Sequence, residues 1–298
     1  MKLGALQNLM VVVERGSIRA AARHLNVAQP VITRSIQDLE RELKTVLFER
    51  GKKGVSLTPA GQVFLRRVTL ATGELRRAQD ELDQLRGATH GSLTIGLSMV
   101  PQITVLPKAL RQFRLRYPDV TLDIIDTVLP GIEASLKDGT VDFYVGPVPE
   151  TVSIGLGVER IFDTRRVIFG RKGHPLTDST SLRDLVNAEW ITTSVTHKAE
   201  EEIGPLFALY GLPPPRLVMQ AHSALTYAMA LSNSDLLMML PDKWDKLPMW
   251  RDNFQVIAVS ETFPTRPICI VQRTGLPLTP AAEYFCDMVR REAGSIEE

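Results

Sequence analysis

Residues Ser17 to Leu43 read SIRAAARHLNVAQPVITRSIQDLEREL, and the fold turns on this stretch. It predicts two helices joined by a tight turn. Ser17, after Gly16, suits an N-cap, because its hydroxyl can accept a free backbone N–H of the first turn. Ala20, Ala21 and Ala22 form a small-residue patch for close helix packing, with Leu25 as the core plug. Asn26 tolerates a left-handed turn, and Val27 is expected to anchor the corner. The second helix should open near Ala28-Gln29-Pro30, since proline is tolerated in a first turn that has no N–H bond to lose. Its apolar residues Ile32, Ile36, Leu39 and Leu43 recur at intervals of 4, 3 and 4, which makes one buried stripe. The opposite face carries Gln29, Thr33, Arg34 and Gln37, side chains that hydrogen-bond base edges and phosphates. They cluster in the half that a helix-turn-helix points into the major groove. The plainer alternative is a helical hairpin with a solvated polar face.

The flanking sequence favours DNA. Arg50, Lys52 and Lys53 stand in LFERGKKGVSLTPAG, where Gly51 and Gly54 bracket a turn between short apolar runs. That pattern predicts a basic-tipped hairpin, a wing placed against the phosphate backbone. Upstream, Leu3, Leu6, Leu9, Met10 and Val13 form a helical stripe expected to complete a three-helix core. Downstream, Pro59 opens a proline-free helix to about Arg86, with Phe64, Val68, Ala71, Leu75, Ala78, Leu82 and Leu85 spaced alternately by 4 and 3. This is a coiled-coil seam, and it predicts a homodimer that sets two recognition helices against an inverted-repeat operator. Gly87-Ala88-Thr89-His90-Gly91 reads as a hinge. The charge is divided the same way. Residues 1–90 hold 15 Lys+Arg against 9 Asp+Glu, a net +6, and the rest hold 20 against 25, a net −5, together the chain's +1. A basic head on an acidic body points to a polyanionic partner for the head alone.

These residues carry a resemblance. The GSIRAAARHLNVAQP core, the DLERELKTVLFER continuation and GVSLTPAG before a long helix are similar to the N-terminal domain of LysR-type transcriptional regulators. The chain length and the His174-Pro175-Leu176 triplet fit the same family, so the resemblance spans the whole chain. It implies an N-terminal all-α winged helix-turn-helix domain over 1–58, a linker helix and hinge over 59–90, and an α/β two-lobed, periplasmic-binding-protein-like effector domain over 91–298. Lobe I would take about 91–161 and 266–298, and lobe II about 162–265. The family usually has Ser where Ala28 stands, so this recognition helix gives up a cap hydroxyl worth about 1 kcal/mol. Because effector domains of the family also pair with each other, the resemblance implies a homotetramer; RNA polymerase is kept as a further partner.

From Ser92 the pattern alternates strands with helices: strand Leu93–Leu97, helix Pro107–Tyr117, strand Val120–Ile125, helix Ile132–Lys137, strand Val141–Val145. That order predicts a parallel, doubly wound sheet. One strand from Phe162 to Phe169 is expected to cross into a second lobe. There, helices are read at Leu182–Leu185, Glu200–Tyr210 and Ser223–Leu231, and strands near Trp190–Thr192, Arg216–Gln220 and Leu236–Met239. Ile268–Val271 and the helix Pro280–Arg291 would return to the first lobe. Ligands of open α/β sheets sit beyond the carboxyl ends of the strands. That rule selects Ser98, Met99, Val100, Pro101 and Gln102 at a helix start, with Asp126, Thr127 and Gly146. In the second lobe it selects Thr193, Ser194, His197, His222 and Ser223. For Ser98 and the Thr193–Ser194 pair the family resemblance implies the same role. Hydroxyls and histidines without an aromatic-lined stretch suit a small carboxylate, sulfonate or sugar-acid effector, the co-inducer, with no other cofactor.

Other classes fit less well. The sequence has no G-x-S-x-G, G-x-G-x-x-G or Walker motif, and its five histidines lack ligand spacing with Cys269 or Cys286, so neither an enzyme nor a metal site is expected. The two cysteines lie in apolar contexts and read as buried thiols. With no apolar run of membrane-spanning length and no signal pattern, a cytoplasmic protein is expected. The function expected is sequence-specific transcriptional regulation under a small effector. Arg23, Arg50, Lys52 and Lys53 would meet phosphates, and Gln29, Pro30, Thr33 and Arg34 would read bases. The alternatives are a solute-binding module without sequence-specific DNA recognition and a non-specific nucleoid protein.

Overall fold

A computed structural model describes residues 1–51, 54–192, 200–221 and 223–297, with backbone only at 50, 51, 200–202, 245, 246, 248, 249, 295 and 297. The chain divides into two compact units, Met1–Ala88 with Ala134–Val141, and Thr89–Glu133 with Asp142–Glu298.

The first unit opens with α1 (Leu3–Arg15), which buries Leu6, Leu9 and Val12. Val12 rather than Val13 faces the core because the buried stripe runs Leu6, Leu9, Val12; Leu3, the first residue of the helix, is exposed. Gly16 closes the helix at φ +70, a conformation that favours glycine. Ser17 then caps α2 (Ile18–His24), its Oγ accepting the Ala20 N–H at 3.1 Å. Ala21 and Ala22 are buried, and Asn26 takes the left-handed turn at φ 53. Val27 does not anchor the corner; it is exposed, and Leu25 with Ile18 packs against the core instead. In α3 (Gln29–Leu43), Ile32, Ile36 and Leu39 are buried while Ala28 offers no side-chain cap. The wing is β1 (Phe48–Gly51) paired antiparallel with β2 (Gly54–Leu57), Phe48 opposite Leu57 and Gly51 opposite Gly54. Glu40 ties it to α3 by accepting the Leu47 N–H at 2.7 Å and the Phe48 N–H at 3.2 Å. Thr58 caps the 27-residue α4 (Pro59–Leu85), accepting the Gly61 N–H at 2.9 Å.

The second unit holds two five-stranded sheets. Its first elements are β3 (His90–Leu97), α5 (Met99–Thr104), α6 (Leu106–Arg116), β4 (Asp119–Asp126), α7 (Leu129–Lys137, whose end from Ala134 is grouped with the first unit) and β5 (Phe143–Pro147). The first strand starts at His90, so it absorbs part of the expected hinge. Then come β6 (Leu156–Thr164) and β7 (Arg166–Arg171), two strands broken at Arg165 where one continuous strand was expected over Phe162–Phe169. They belong to different sheets, and a single straight strand cannot pair in both. A 3₁₀ turn at Leu182–Leu185 precedes β8 (Glu189–Thr192), α8 (Glu200–Leu209), β9 (Arg216–Gln220), α9 (Ala224–Ser232) and β10 (Leu237–Pro241). The chain continues through a second 3₁₀ turn at Asp242–Lys246, α10 (Pro248–Asn253), β11 (Phe254–Ile257), β12 (Arg266–Arg273) and α11 (Pro280–Glu297). The turn Asp242–Lys246, α10 and β11 were not expected.

The sheet orders are β4-β3-β5-β12-β6 and β11-β7-β10-β8-β9. Strands β3, β4 and β5 are parallel, as are β8, β9 and β10, but β12 and β7 run against them. Both sheets are therefore mixed, not wholly parallel. The returning chain enters each at its interior, where the neighbour on each side accepts an antiparallel partner. Phe113 of α6 and Phe285 of α11 meet edge to face at 5.3 Å over the first sheet, where Cys286 is buried with them. Alternating residues feed the two faces of the second sheet, Trp190 with Phe207 on one and Phe169, Tyr227, Trp244 and Trp250 on the other. The His174-Pro175-Leu176 triplet makes the turn after β7. His174 Nδ1 accepts the Leu176 N–H at 3.0 Å, so Nε2 carries the proton and donates to the Asp235 carbonyl at 3.0 Å.

Candidate nucleic-acid face and effector cavity

On the first unit, Gln29, Pro30, Thr33, Arg34 and Gln37 line one shallow groove with Asp38 and Arg41. They share it because α3 turns Ile32, Ile36 and Leu39 inward, leaving the opposite side to water. Thr33 Oγ1 donates to the Gln29 carbonyl at 3.1 Å, and Asp38 holds Arg41 at 2.8 Å. Arg34 reaches Asp38 only at 4.0 Å, and its side chain is 86% exposed. Arg23 stands exposed in the last turn of α2. Lys52 and Lys53, and the side chain of Arg50, lie outside the described residues.

Helix α4 departs from a uniform seam. Phe64 and Val68 pack into the core of the first unit. Ala71, Leu75, Ala78, Leu82 and Leu85 face solvent in the single chain, with Leu75, Leu82 and Leu85 each more than half exposed. An apolar stripe of this length left in water marks an association surface.

In the second unit a cavity of about 290 Å³ opens where the strand ends of the two sheets meet. Of the residues expected there, Ser98, Met99, Val100, Asp126 and Thr127 line it. Pro101, Gln102 and Gly146 do not. Pro101 is buried in α5, and Gln102 is spent on the Leu97 carbonyl at 3.1 Å and Asp126 at 2.9 Å. Gly146 is a packing glycine: a Cβ there would lie 2.1 Å from the Tyr144 hydroxyl and 2.6 Å from Ser98 Oγ. Thr193, Ser194, His197 and His222 lie outside the described residues, and Ser223 precedes α9 without a side-chain cap bond. The expected anion cradle at the start of α5 is also weakened, because that helix is only six residues long.

The structure supplies what the strand-end rule overlooked. Arg166 and Arg266 line the cavity from the amino ends of β7 and β12. Arg166 is paired in register with Pro241, the last residue of β10, and Ile268 with Pro147, the last of β5. In an antiparallel neighbour the beginning of one strand adjoins the carboxyl end of the next. Thr164 fixes this corner by donating to the Arg266 carbonyl at 3.0 Å. Tyr227 and Trp244 also line the cavity, so the expectation of a site without aromatic groups is corrected. They were missed because they arrive from α9 and a 3₁₀ turn, not from strand ends. Burial, helped by the nearby Asp126 charge, pushes the Tyr227 hydroxyl above the usual tyrosine range, leaving it a neutral donor. Among the described residues no group of three or more His, Cys, Asp or Glu could hold a metal, and no helix is long and apolar enough to cross a membrane.

Comparison with known proteins bears on both surfaces. Residues 3–62 match the family model described as bacterial regulatory helix-turn-helix protein, lysR family. Residues 86–294 match the LysR substrate binding domain. The transcriptional regulator TdcA of Escherichia coli strain K12 is 25% identical over 288 residues, covering 95% of this chain and 92% of the relative. The regulator GbpR of Rhizobium radiobacter is 28% identical over 237 residues, 78% of each. Among solved structures, full-length CbnR complexed with its target DNA superposes with a TM-score of 0.73 at 24% identity, covering 98% of this chain and 100% of that one.

Proposed function

The chain belongs to the LysR family of bacterial helix-turn-helix transcriptional regulators, and from that premise we propose how its two surfaces work. It is a DNA-binding regulator with an effector-binding domain, not an enzyme. The observation that carries the reading is the α3 groove, where Gln29, Pro30, Thr33, Arg34 and Gln37 stand exposed on one side of a helix whose other side is core. In our reading residues 1–58 dock on duplex DNA, with Gln29, Pro30, Thr33 and Arg34 at base edges. Arg23, Arg50, Lys52 and Lys53 meet the phosphates and supply the salt-dependent share of affinity, and Gln37 adds a neutral hydrogen-bonding contact from the same face of α3. Residues 59–90 form the linker and hinge. The stripe Ala71–Leu85 pairs with its copy, so two recognition helices face an inverted repeat.

Residues 91–298 hold a small anionic co-inducer in the cavity between their sheets. Two further apolar sets are exposed on this unit, Leu115 with Ile125 and Val218 with Leu225 and Met229. Self-association through them supports a tetramer, a dimer of α4-linked dimers. An effector that binds one arrangement of the lobes better by a few kcal/mol shifts the population and the DNA geometry with it. RNA polymerase is the partner that reads the outcome, and the cytoplasm, where the DNA lies, is the compartment.

Selection of the full chain on randomised duplexes tests the DNA half of this reading. The expected result is enrichment of an inverted repeat; a pool that stays random contradicts it.

A further inference from the structure

Among the described residues the cavity lining carries Arg166, Arg266 and one carboxylate, Asp126, a net charge of one positive. Among the described residues no carboxylate pairs with Arg266, and Asp126 already accepts a hydrogen bond from Gln102 at 2.9 Å. Ser98 Oγ is buried and makes no cap bond to α5; it is turned toward the Tyr144 hydroxyl, its hydrogen-bonding neighbour, and adds nothing to the head-group site. Against these polar groups stand the apolar walls Tyr227, Trp244, Met239, Leu240 and Ile268. Against these described walls a polyhydroxylated body would bury hydroxyls on hydrocarbon.

We propose that the effector is a monoanion with an apolar, ring-sized or branched body, its acidic head held by Arg266 and its body seated on Tyr227 and Trp244. The inference rests on the reading of this cavity as the effector site. It narrows the expected carboxylates, sulfonates and sugar acids by excluding the sugar acids. Arg266 is the specificity-determining cation, and Thr164 is its positioning residue through the 3.0 Å bond to the Arg266 carbonyl.

Trp244 in the lining provides the readout. The full chain is titrated with phenylacetate, 4-methylpentanoate, phenylmethanesulfonate, gluconate and neutral 2-phenylethanol, following tryptophan fluorescence and melting temperature. The three apolar anions should give saturable signals, with gluconate and the alcohol at least about tenfold weaker. Arg266→Gln should weaken the apolar anions by about 10- to 100-fold, and Arg266→Lys should restore part of that loss. Arg266→Lys, which keeps the charge, and Tyr227→Ala, which removes the apolar seat and should abolish the response, keep the test open if Arg266→Gln does not fold. Gluconate binding as tightly as phenylacetate, with Tyr227→Ala still abolishing the response, would leave the cavity as the effector site and overturn the inferred selectivity. Binding of the acids untouched by Arg266→Gln and Tyr227→Ala alike would put the ligand elsewhere and overturn both readings. Silence of all five compounds at millimolar concentration overturns the inference. A carboxylate response without a sulfonate response, or the reverse, identifies the head group.

Discussion

The groove on α3 takes every lining residue from Gln29 to Arg41 of one helix, whereas the cavity of the second unit draws on residues as far apart as Ser98 and Ile268. The first is an open comb of side chains at fixed helical spacing, suited to a long polyanion with a regular groove. The second is a concavity assembled from strand ends, a helix and a 3₁₀ turn, with a few charges in an apolar wall, suited to one small molecule. A helix keeps its own geometry when its neighbours shift, but a hole made by two sheets changes shape whenever the sheets move. Placing recognition of DNA on the first and recognition of the effector on the second gives one surface that holds still and one that responds.

The largest effect is expected where the first surface depends on a second copy of the chain. Replacing Leu75 and Leu82 together by Asp should dissolve the α4 seam and lower operator affinity by about 10²- to 10⁴-fold, the loss of bivalent engagement. Sedimentation and gel shift would read both; an intact dimer with full affinity would remove α4 from the account. Next comes Gly61→Ala, whose Cβ would sit 2.2 Å from the Leu47 carbonyl oxygen. It should destabilise the first unit by about 1–3 kcal/mol. Calorimetry should then show one melting transition moved and the other unmoved, which sharpens the division into two units. Ala28→Ser supplies the missing cap hydroxyl and should stabilise the start of α3 by about 1 kcal/mol, seen as a rise in the same transition.

The smallest effect concerns Glu261, which accepts from the Ser181 hydroxyl at 2.7 Å and the Leu182 N–H at 2.9 Å. Partial desolvation pushes its pKa up, but these hydrogen bonds outweigh it and hold the carboxyl below the usual range. A carboxylate depressed by folding stabilises the folded state above its unfolded pKa and loses that contribution as pH falls through the folded one. Melting of the second unit should therefore decline slightly more steeply in acid for the native chain than for Glu261→Gln. Parallel declines would show that Glu261 is a surface charge without structural weight.

How far each region was legible follows from the same contrast. The α2–α3 pair could be read because its signals are local: Ser17 caps its own first turn, Asn26 takes its own positive φ, and the stripe Ile32, Ile36, Leu39 belongs to one helix. In the neighbouring α1, Val12 and Val13 could not be told apart, since either completes a helical stripe and only packing chooses. In the second unit most strands were legible as apolar runs, but their directions were not. Nothing between Phe162 and Phe169 marks Arg165 as the break, because both sides are strand and only pairing in separate sheets divides them. The same blindness to direction hid Arg166 and Arg266, which stand at strand beginnings that become cavity edges only through antiparallel pairing. Tyr227 and Trp244 were hidden because each also serves the aromatic core, with ring centroids 5.5 Å apart.

The account's central claim is that α3 reads bases while the basic wing only holds phosphates. Competition of selected operator against random duplex, over a series of salt concentrations, with Arg34→Ala and Lys53→Ala side by side, tests it most directly. Arg34→Ala should lose about 1–3 kcal/mol on the operator and flatten the preference over random DNA. Lys53→Ala should weaken both duplexes alike and reduce the salt slope by about one. Identical behaviour of the two variants on both duplexes would contradict the claim.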